Sequence, residues 1–254
     1  MTKKQLENAT KTFNNTISES YKIPAFKGRV ELNGASIKIG KIENTDPKKI
    51  VEGKTVKTVK DGKIISRKII FDSSIYNQIN IGLEKFNAGE VLEIENIVGI
   101  VKILHEAGHT REIYPNGLKK GTDKDLFSEG LNEKIARINA IDIIKDRYKR
   151  LEEKDGIKDM LNNLENMVSQ NKVYDREVKI IEKALGKFDI KISNKIYNDM
   201  RDKLKNTDHE KIFETFRTTM RKYDTNESLI KSSSVFIEVR ENFIKLQEEY
   251  QIYS

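Results

Sequence analysis

The chain has 254 residues, of which 37% are hydrophobic and 34% charged, and its formal net charge is +7. It contains no cysteine, which excludes disulfide bonds, thiolate metal ligands and cysteine nucleophiles. A chain of this length forms one large domain or two small ones, and the periodic spacing of its apolar residues argues against general disorder.

The positive net charge raises the question of a nucleic-acid surface, which needs basic residues that cluster. Here 47 Lys and Arg residues are interspersed with 40 Asp and Glu residues, and no dense basic block occurs. Binding to nucleic acid is therefore not the expected function. A basic helical module that binds nucleic acid or protein is kept as an alternative.

The sequence shows no pattern typical of secretion or of a membrane span. The first eight residues include lysines, but no apolar run follows them, and no stretch is long enough to cross a membrane. As written, the sequence favours a cytoplasmic protein, with a secreted mature form trimmed from a longer precursor as the alternative. The oligomeric state cannot be inferred from these features.

The first part of the chain predicts one N-terminal segment and then strands. Residues 1–25 are expected to be helical or flexible and end at Pro24. Strand patterns follow between residues 27 and 71, where Asp61-Gly62 separates 56–60 from 63–67, as the type I′ turn of a hairpin does. A run over 67–72 is also rich in strand formers, and a short helix is predicted over 75–86.

The most informative segment is His105-Glu106-Ala107-Gly108-His109, an HExxH sequence that holds two of the three histidines. We predict that it lies on a helix whose first turns carry glutamates from residue 90 onward. On a helix, His105 and His109 share one face and lie one turn apart. Two imidazoles placed in this way can bind a single Zn²⁺, with the glutamate between them directed at a bound water.

The residues before the motif predict which way the histidines point. Stepping back 100° per residue from His105 places Val101, Val98 and Ile94 on the same apolar stripe. Both imidazoles are therefore expected to face the core, and Glu106 to lie at the margin of the stripe. The alternative is a pair of core histidines with satisfied hydrogen bonds and no metal.

A second helix is predicted over 122–141, capped by Thr122 or Asp123. Glu129 and Glu133 share one of its faces, one turn apart. Carboxylates on a central helix are costly unless a positive group meets them, and Zn²⁺ would be such a group. The alternative is a solvated acidic face on a charged helix.

An HExxH helix followed by a glutamate on the next helix resembles the gluzincins, the thermolysin-like branch of the zinc metallopeptidases. Nineteen residues separate His109 from Glu129, which is the thermolysin-type spacing. The resemblance implies that His105, His109 and Glu129 bind Zn²⁺ and that Glu106 is the general base for a metal-activated water. It also implies that Glu133 orients a ligand histidine.

Two positions depart from the thermolysin pattern. Ser128 and Glu133 stand where that pattern has Asn and Asp. The departure implies a distant gluzincin rather than a close relative of thermolysin. Glu129 and Glu133 therefore both stay open as the carboxylate ligand.

Two further expectations concern the substrate. In zincins a strand just before the HExxH helix often pairs with an extended substrate, and Ile64 to Asp72 is the candidate here, with an ordinary interior strand as the alternative. The oxyanion that develops during hydrolysis needs a further donor. Tyr114, His209 and Tyr223 are the candidates for it.

The rest of the chain predicts helices. Amphipathic stretches cover 157–168, 177–185, 192–204, 210–223 and 235–250. We expect an α+β fold, with a zincin-like small β-sheet and active-site helices followed by a mainly α-helical C-terminal subdomain. The expected organisation is an N-terminal segment (1–25), a zincin-like catalytic core with the HExxH helix and the Glu helix (26–145) and the helical subdomain (146–254).

The expected function is that of a zinc metalloendopeptidase that acts on a peptide or protein substrate. One alternative is a zincin-fold protein without proteolytic activity, in which the metal serves structure or partner binding. The other is the basic helical module. Neither the substrate nor the cleavage specificity follows from the residues.

Overall fold

The computed structural model describes residues 1–43, 51–61, 63–112, 121–204, 208–223 and 229–252. Over these residues it has an α+β architecture, which confirms the predicted class. The strands are β1 (Ser36–Gly40), β2 (Gly53–Lys60) and β3 (Lys63–Asp72). The helices are α1 (Lys3–Ser20), α2 (Pro24–Lys27), α3 (Tyr76–Ala88), α4 (Ile94–His109), α5 (Asp123–Tyr148), α6 (Ile157–Ser169), α7 (Asp175–Leu185), α8 (Ile190–Leu204), α9 (Ile212–Arg221) and α10 (Leu229–Ile252).

The elements belong to two compact units. The first contains Met1–Thr110 and Ala136–Asn171, and the second contains Arg111–Ile135 and Lys172–Ser254. The long helix α5 begins in the second unit and ends in the first. The division into 1–25, 26–145 and 146–254 stays a prediction.

The sheet of the first unit has the order β1-β3-β2. β3 is parallel to β1 and antiparallel to β2, and the two runs predicted over 63–67 and 67–72 form this one strand. The hairpin between β2 and β3 is confirmed. Asp61 has a φ of 51°, the left-handed conformation that a type I′ turn requires, and Gly62 lies outside the described residues.

The prediction that Ile64 to Asp72 offers its edge to a substrate is wrong for the second half of the segment. Lys68 to Asp72 pairs with β1 on one side and faces β2 on the other, so the interior-strand alternative is correct there. Ile64 to Arg67 pairs with β2 but not with β1. The local pattern could not show this, because β1 joins β3 through a parallel pairing that is not local in sequence.

The two outer edges of the sheet differ. The edge of β1 is covered by α1, where Thr10 Oγ1 accepts the Ile39 N–H at 3.0 Å and Asn14 donates to the Ile37 carbonyl at 3.3 Å. No further strand of the described residues pairs with the outer edge of β2. Within the described chain, β2 therefore has an edge that no strand covers along its whole length.

Helix α4 lies in the core of the first unit, but the face that it buries differs from the predicted stripe. The helix begins only at Ile94, which is 41% exposed, and Val98 is half-buried. The buried residues centre on Ile97, Ile100 and Val101. The predicted stripe is wrong at its start because Glu93 caps the helix, which leaves Ile94 in an exposed first turn.

The second unit is helical and has an aromatic core. Phe127 on α5 stacks on Phe213 with ring centroids 4.6 Å apart and meets Phe216 and Phe243 edge-to-face. The five stretches predicted after residue 142 correspond to α6 through α10. Among the described helices, none combines the length and apolar character that a membrane crossing requires.

Candidate metal centre

His105 and His109 occupy the last turn of α4 and point the same ring nitrogen at each other. Their Nε2 atoms lie 3.0 Å apart, and the ring centroids lie 4.7 Å apart. Two nitrogens bound to one tetrahedral zinc at roughly 2.0–2.1 Å are themselves about 3.3 Å apart. The observed separation is about 0.3 Å shorter than this value and also fits a hydrogen bond between the two imidazoles, so a bound ion would move the rings slightly apart.

Glu129 on α5 is the third residue of a group that could hold a metal ion. One ligand atom each from His105, His109 and Glu129 lie within 4.8 Å of one another. Two imidazoles and a carboxylate form a donor set of catalytic zinc sites, which keep a fourth position open.

Glu106 lies under β2 and is only 7% exposed. Its Oε2 accepts a hydrogen bond from the Thr55 hydroxyl at 2.8 Å, and the same hydroxyl is 3.0 Å from the Glu106 carbonyl oxygen. A methyl group on Gly53 would lie 2.8 Å from Oε1. The predicted position at the margin of the apolar stripe stays a prediction, and the structure adds that β2 covers the Glu106 side chain.

A second link joins β2 to α4 one helical turn earlier. The Lys102 ammonium lies 2.7 Å from the carboxylate of Glu52, the residue before β2, and donates to the Gln78 side chain at 3.0 Å. Both members of the ion pair are half-buried, so the pair is less screened than one at the surface. The strand is thus fixed to the helix independently of Thr55.

The end of α4, directly after His109, is held by the side chains of Thr110, Asn33 and Arg67. The hydroxyl of Thr110 donates to the Ala107 carbonyl at 2.6 Å and accepts from Asn33 at 2.9 Å. Arg67 on β3 donates through Nε to the Thr110 carbonyl at 2.8 Å. A cation at this end complements the helix dipole and satisfies a carbonyl that the helix leaves over.

The start of α5 is held next to Glu129. The Thr122 hydroxyl accepts the Asp125 N–H at 3.2 Å, so the predicted cap is present. The Ser128 hydroxyl donates to Glu112 Oε1 at 2.7 Å, and both residues are buried. Glu133, one turn after Glu129, is only 1% exposed, which does not fit the alternative of a solvated acidic face.

Gly130 allows α7 to approach α5 directly beside Glu129. A Cβ on Gly130 would lie 2.5 Å from the Cβ of Glu177 and 2.9 Å from its carbonyl carbon. The buried Glu177 accepts the phenol of Tyr250 at 3.0 Å. Burial raises the pKa of Glu177, and it raises the pKa of Tyr250 to about 12, with the neighbouring carboxylate adding to the second shift.

We expect Gly130→Ala to destabilise the protein by about 1–3 kcal/mol, because the backbone of α7 cannot move away as a flexible side chain could. The displaced α5 should also weaken zinc binding through Glu129. Chemical denaturation and metal titration measure the two effects. Gly40→Ala is the control, since its methyl would meet Ile70 at an ordinary 3.7 Å. An unfolding free energy equal to that of the wild type would contradict the close approach.

The three candidates for the oxyanion donor stay predictions. Tyr114 and the side chain of His209 lie outside the described residues. Tyr223 is half-buried, and burial together with a hydrogen bond to Asp199 raises the pKa of its phenol.

Sequence reasoning missed the residues that support the site. Thr55 and Gly53 contact Glu106 from 51 and 53 positions away along the chain, and no local pattern marks them. The contact of Arg67 with Thr110 likewise depends on how β3 lies in the sheet, which no local pattern shows. Thr110 had no signal either, because threonine is favoured at the start of a helix and not at its end.

Comparisons of the chain with protein-family models, with curated proteins and with solved structures found no match.

Proposed function

We propose that the protein is a zinc metallopeptidase of the gluzincin type that hydrolyses peptide bonds with Glu106 as general base. The observation that carries the proposal is the HExxH pair itself, with Nε2 atoms 3.0 Å apart and the Glu129 carboxylate in the same group. The chain has only three histidines in 254 residues. Two of them directed at one point, with a carboxylate beside them, are better explained by a metal than by core packing.

The roles of the residues follow from their positions. His105, His109 and Glu129 would hold a zinc ion, and that ion would lower the pKa of a water molecule toward about 7 and polarise the scissile carbonyl. Glu106 takes the proton from the attacking water and then delivers it to the leaving amine. Glu133 serves as the buried carboxylate that supports the ligands.

A peptide substrate is supported by the strand next to Glu106. β2 contacts Glu106 through Gly53 and Thr55, and its outer edge pairs with no other strand of the described residues. An extended chain that adds to this edge would form main-chain hydrogen bonds beside the general base. We therefore assign substrate pairing to β2 instead of the segment Ile64–Asp72.

The proposal is tested by metal analysis of the purified protein combined with a broad peptide library. We expect one zinc ion per chain and cleavage products that disappear when a chelator removes the metal. Stoichiometric zinc without any cleavage would contradict the peptidase and favour the alternative of a zincin-fold protein without proteolytic activity. Absence of zinc together with a steep salt dependence of DNA or RNA binding would favour the basic module instead.

A further inference from the structure

We propose that Thr55 is a positioning residue for the general base, and that its hydroxyl holds the Glu106 carboxylate in the orientation that proton transfer requires. The inference rests on the proposed function, since it concerns the same site. It adds a residue of β2 that the HExxH motif does not contain.

The contact between the two side chains is direct. Thr55 Oγ1 lies 2.8 Å from Glu106 Oε2. The same hydroxyl lies 3.0 Å from the Glu106 carbonyl oxygen, but it carries only one proton. A hydrogen bond to an ionised carboxylate is about twice as strong as one to a neutral acceptor, so we assign the proton to the carboxylate. This hydrogen bond limits the rotation of the carboxylate about its last torsion, which is otherwise broad.

The donor itself is well fixed. Thr55 is paired in the sheet with Ile69, which is fully buried, so the backbone under the hydroxyl has little freedom. The branched side chain of threonine restricts its first torsion further. Helix α4 and strand β2 thus hold both ends of the hydrogen bond.

Gly53 provides the room that this orientation needs. Added at Gly53, a methyl group would lie 2.8 Å from Oε1 and 3.1 Å from the carboxyl carbon. Thr55 therefore fixes one oxygen while the missing side chain of Gly53 lets the other approach the strand. A larger residue at position 53 would turn the carboxylate away.

A purely structural role, in which Thr55 only attaches β2 to α4, makes a different prediction. The ion pair between Lys102 and Glu52 already attaches the strand one turn away. Removal of the hydroxyl should therefore leave the strand in place and change only the carboxylate. A structural role would instead change stability and zinc binding together.

The test compares Thr55→Val, which removes the hydroxyl at nearly constant shape, with Thr55→Ser, which keeps it. Thr58→Val is the matched control, because Thr58 is an exposed threonine on the same strand. In Thr55→Val we expect kcat to fall about 10- to 100-fold, the range for loss of a hydrogen bond to a charged group, with little change in KM. Thr55→Ser should recover most of the loss, and Thr58→Val should behave as the wild type.

A second measurement does not depend on cleavage. Cobalt(II) replaces zinc in the same site, and its visible absorption reports the groups around the ion. We expect Thr55→Val to change this spectrum while its metal affinity and unfolding midpoint stay at the wild-type values. A crystal structure of the variant should show the Glu106 carboxylate rotated from its wild-type orientation.

The outcomes separate the two ideas. If the wild type cleaves no peptide, the proposed function fails, and the cobalt spectrum and the crystal structure still test Thr55. If the wild type cleaves but Thr55→Val matches Thr58→Val in kcat and in spectrum, the positioning role is wrong. The positioning role is also wrong if Thr55→Val loses stability, metal affinity and activity together and Thr55→Ser does not restore them.

Discussion

Glu106→Gln is expected to lower kcat for peptide cleavage by about 10²- to 10⁴-fold, the contribution that a general base makes. Glutamine has the same shape and can still accept the Thr55 hydroxyl through its amide oxygen, but it cannot take up the proton of the attacking water. The change also removes a charge from a side chain that is only 7% exposed. Stability should therefore be kept or slightly raised.

Zinc content separates this effect from a loss of the site. Glu106 is not among the three ligand residues, so Glu106→Gln should bind one zinc ion with an affinity close to that of the wild type. Glu95→Gln makes the same chemical change at an exposed position about three turns earlier on α4 and is the control. A Glu106→Gln variant that retains more than about a tenth of the wild-type kcat would remove Glu106 from the role of general base.

The second large effect is expected from His109→Ala. Loss of a support around a metal ligand already costs about 10- to 100-fold in affinity, so loss of the ligand itself should cost more. Cleavage should fall to the background rate. A bound ion also stabilises the folded state, by about 2.7 kcal/mol at a free concentration of 100 times Kd. The wild type should therefore unfold at a lower temperature after chelation, whereas His109→Ala should not respond to zinc or to chelator.

His209→Ala is the matched control for the metal. His209 is the third histidine of the chain and lies outside the HExxH motif, and its side chain lies outside the described residues. Its replacement should leave zinc affinity unchanged, while its effect on cleavage tests whether it is the oxyanion donor. Wild-type zinc affinity in His109→Ala would show that the ion, if bound, is held elsewhere.

The helices could be predicted because their signals are local. Apolar periodicity and breaking residues marked α3 and the helices α6 to α10, and Asp61-Gly62 marked the hairpin. The centrality of β3 could not be predicted, because it depends on a parallel pairing with β1. The exposed position of Ile94 was missed for another reason, namely that the helix starts at that residue and not near residue 90.

The candidate site divides in the same way. His105 and His109 follow from an i, i+4 rule, and the structure places their Nε2 atoms 3.0 Å apart. Glu129 was predicted from its separation from His109, which resembles the thermolysin-type spacing, and not from helix geometry. Thr55 and Gly53 could not be found, since strand register alone decides which residue of β2 faces Glu106.

The unequal edges of the sheet bear on how copies of this protein avoid one another. An uncovered strand is a place where identical chains can join and begin to aggregate. α1 removes that risk at β1, whereas β2 carries Lys54, Lys57 and Lys60 and no acidic residue. Two such strands side by side would bring like charges together, and a neutral or acidic chain would meet no such repulsion. The charges of β2 thus disfavour pairing with a second copy of the same strand, whereas among the described residues nothing pairs with its outer edge to exclude a different chain.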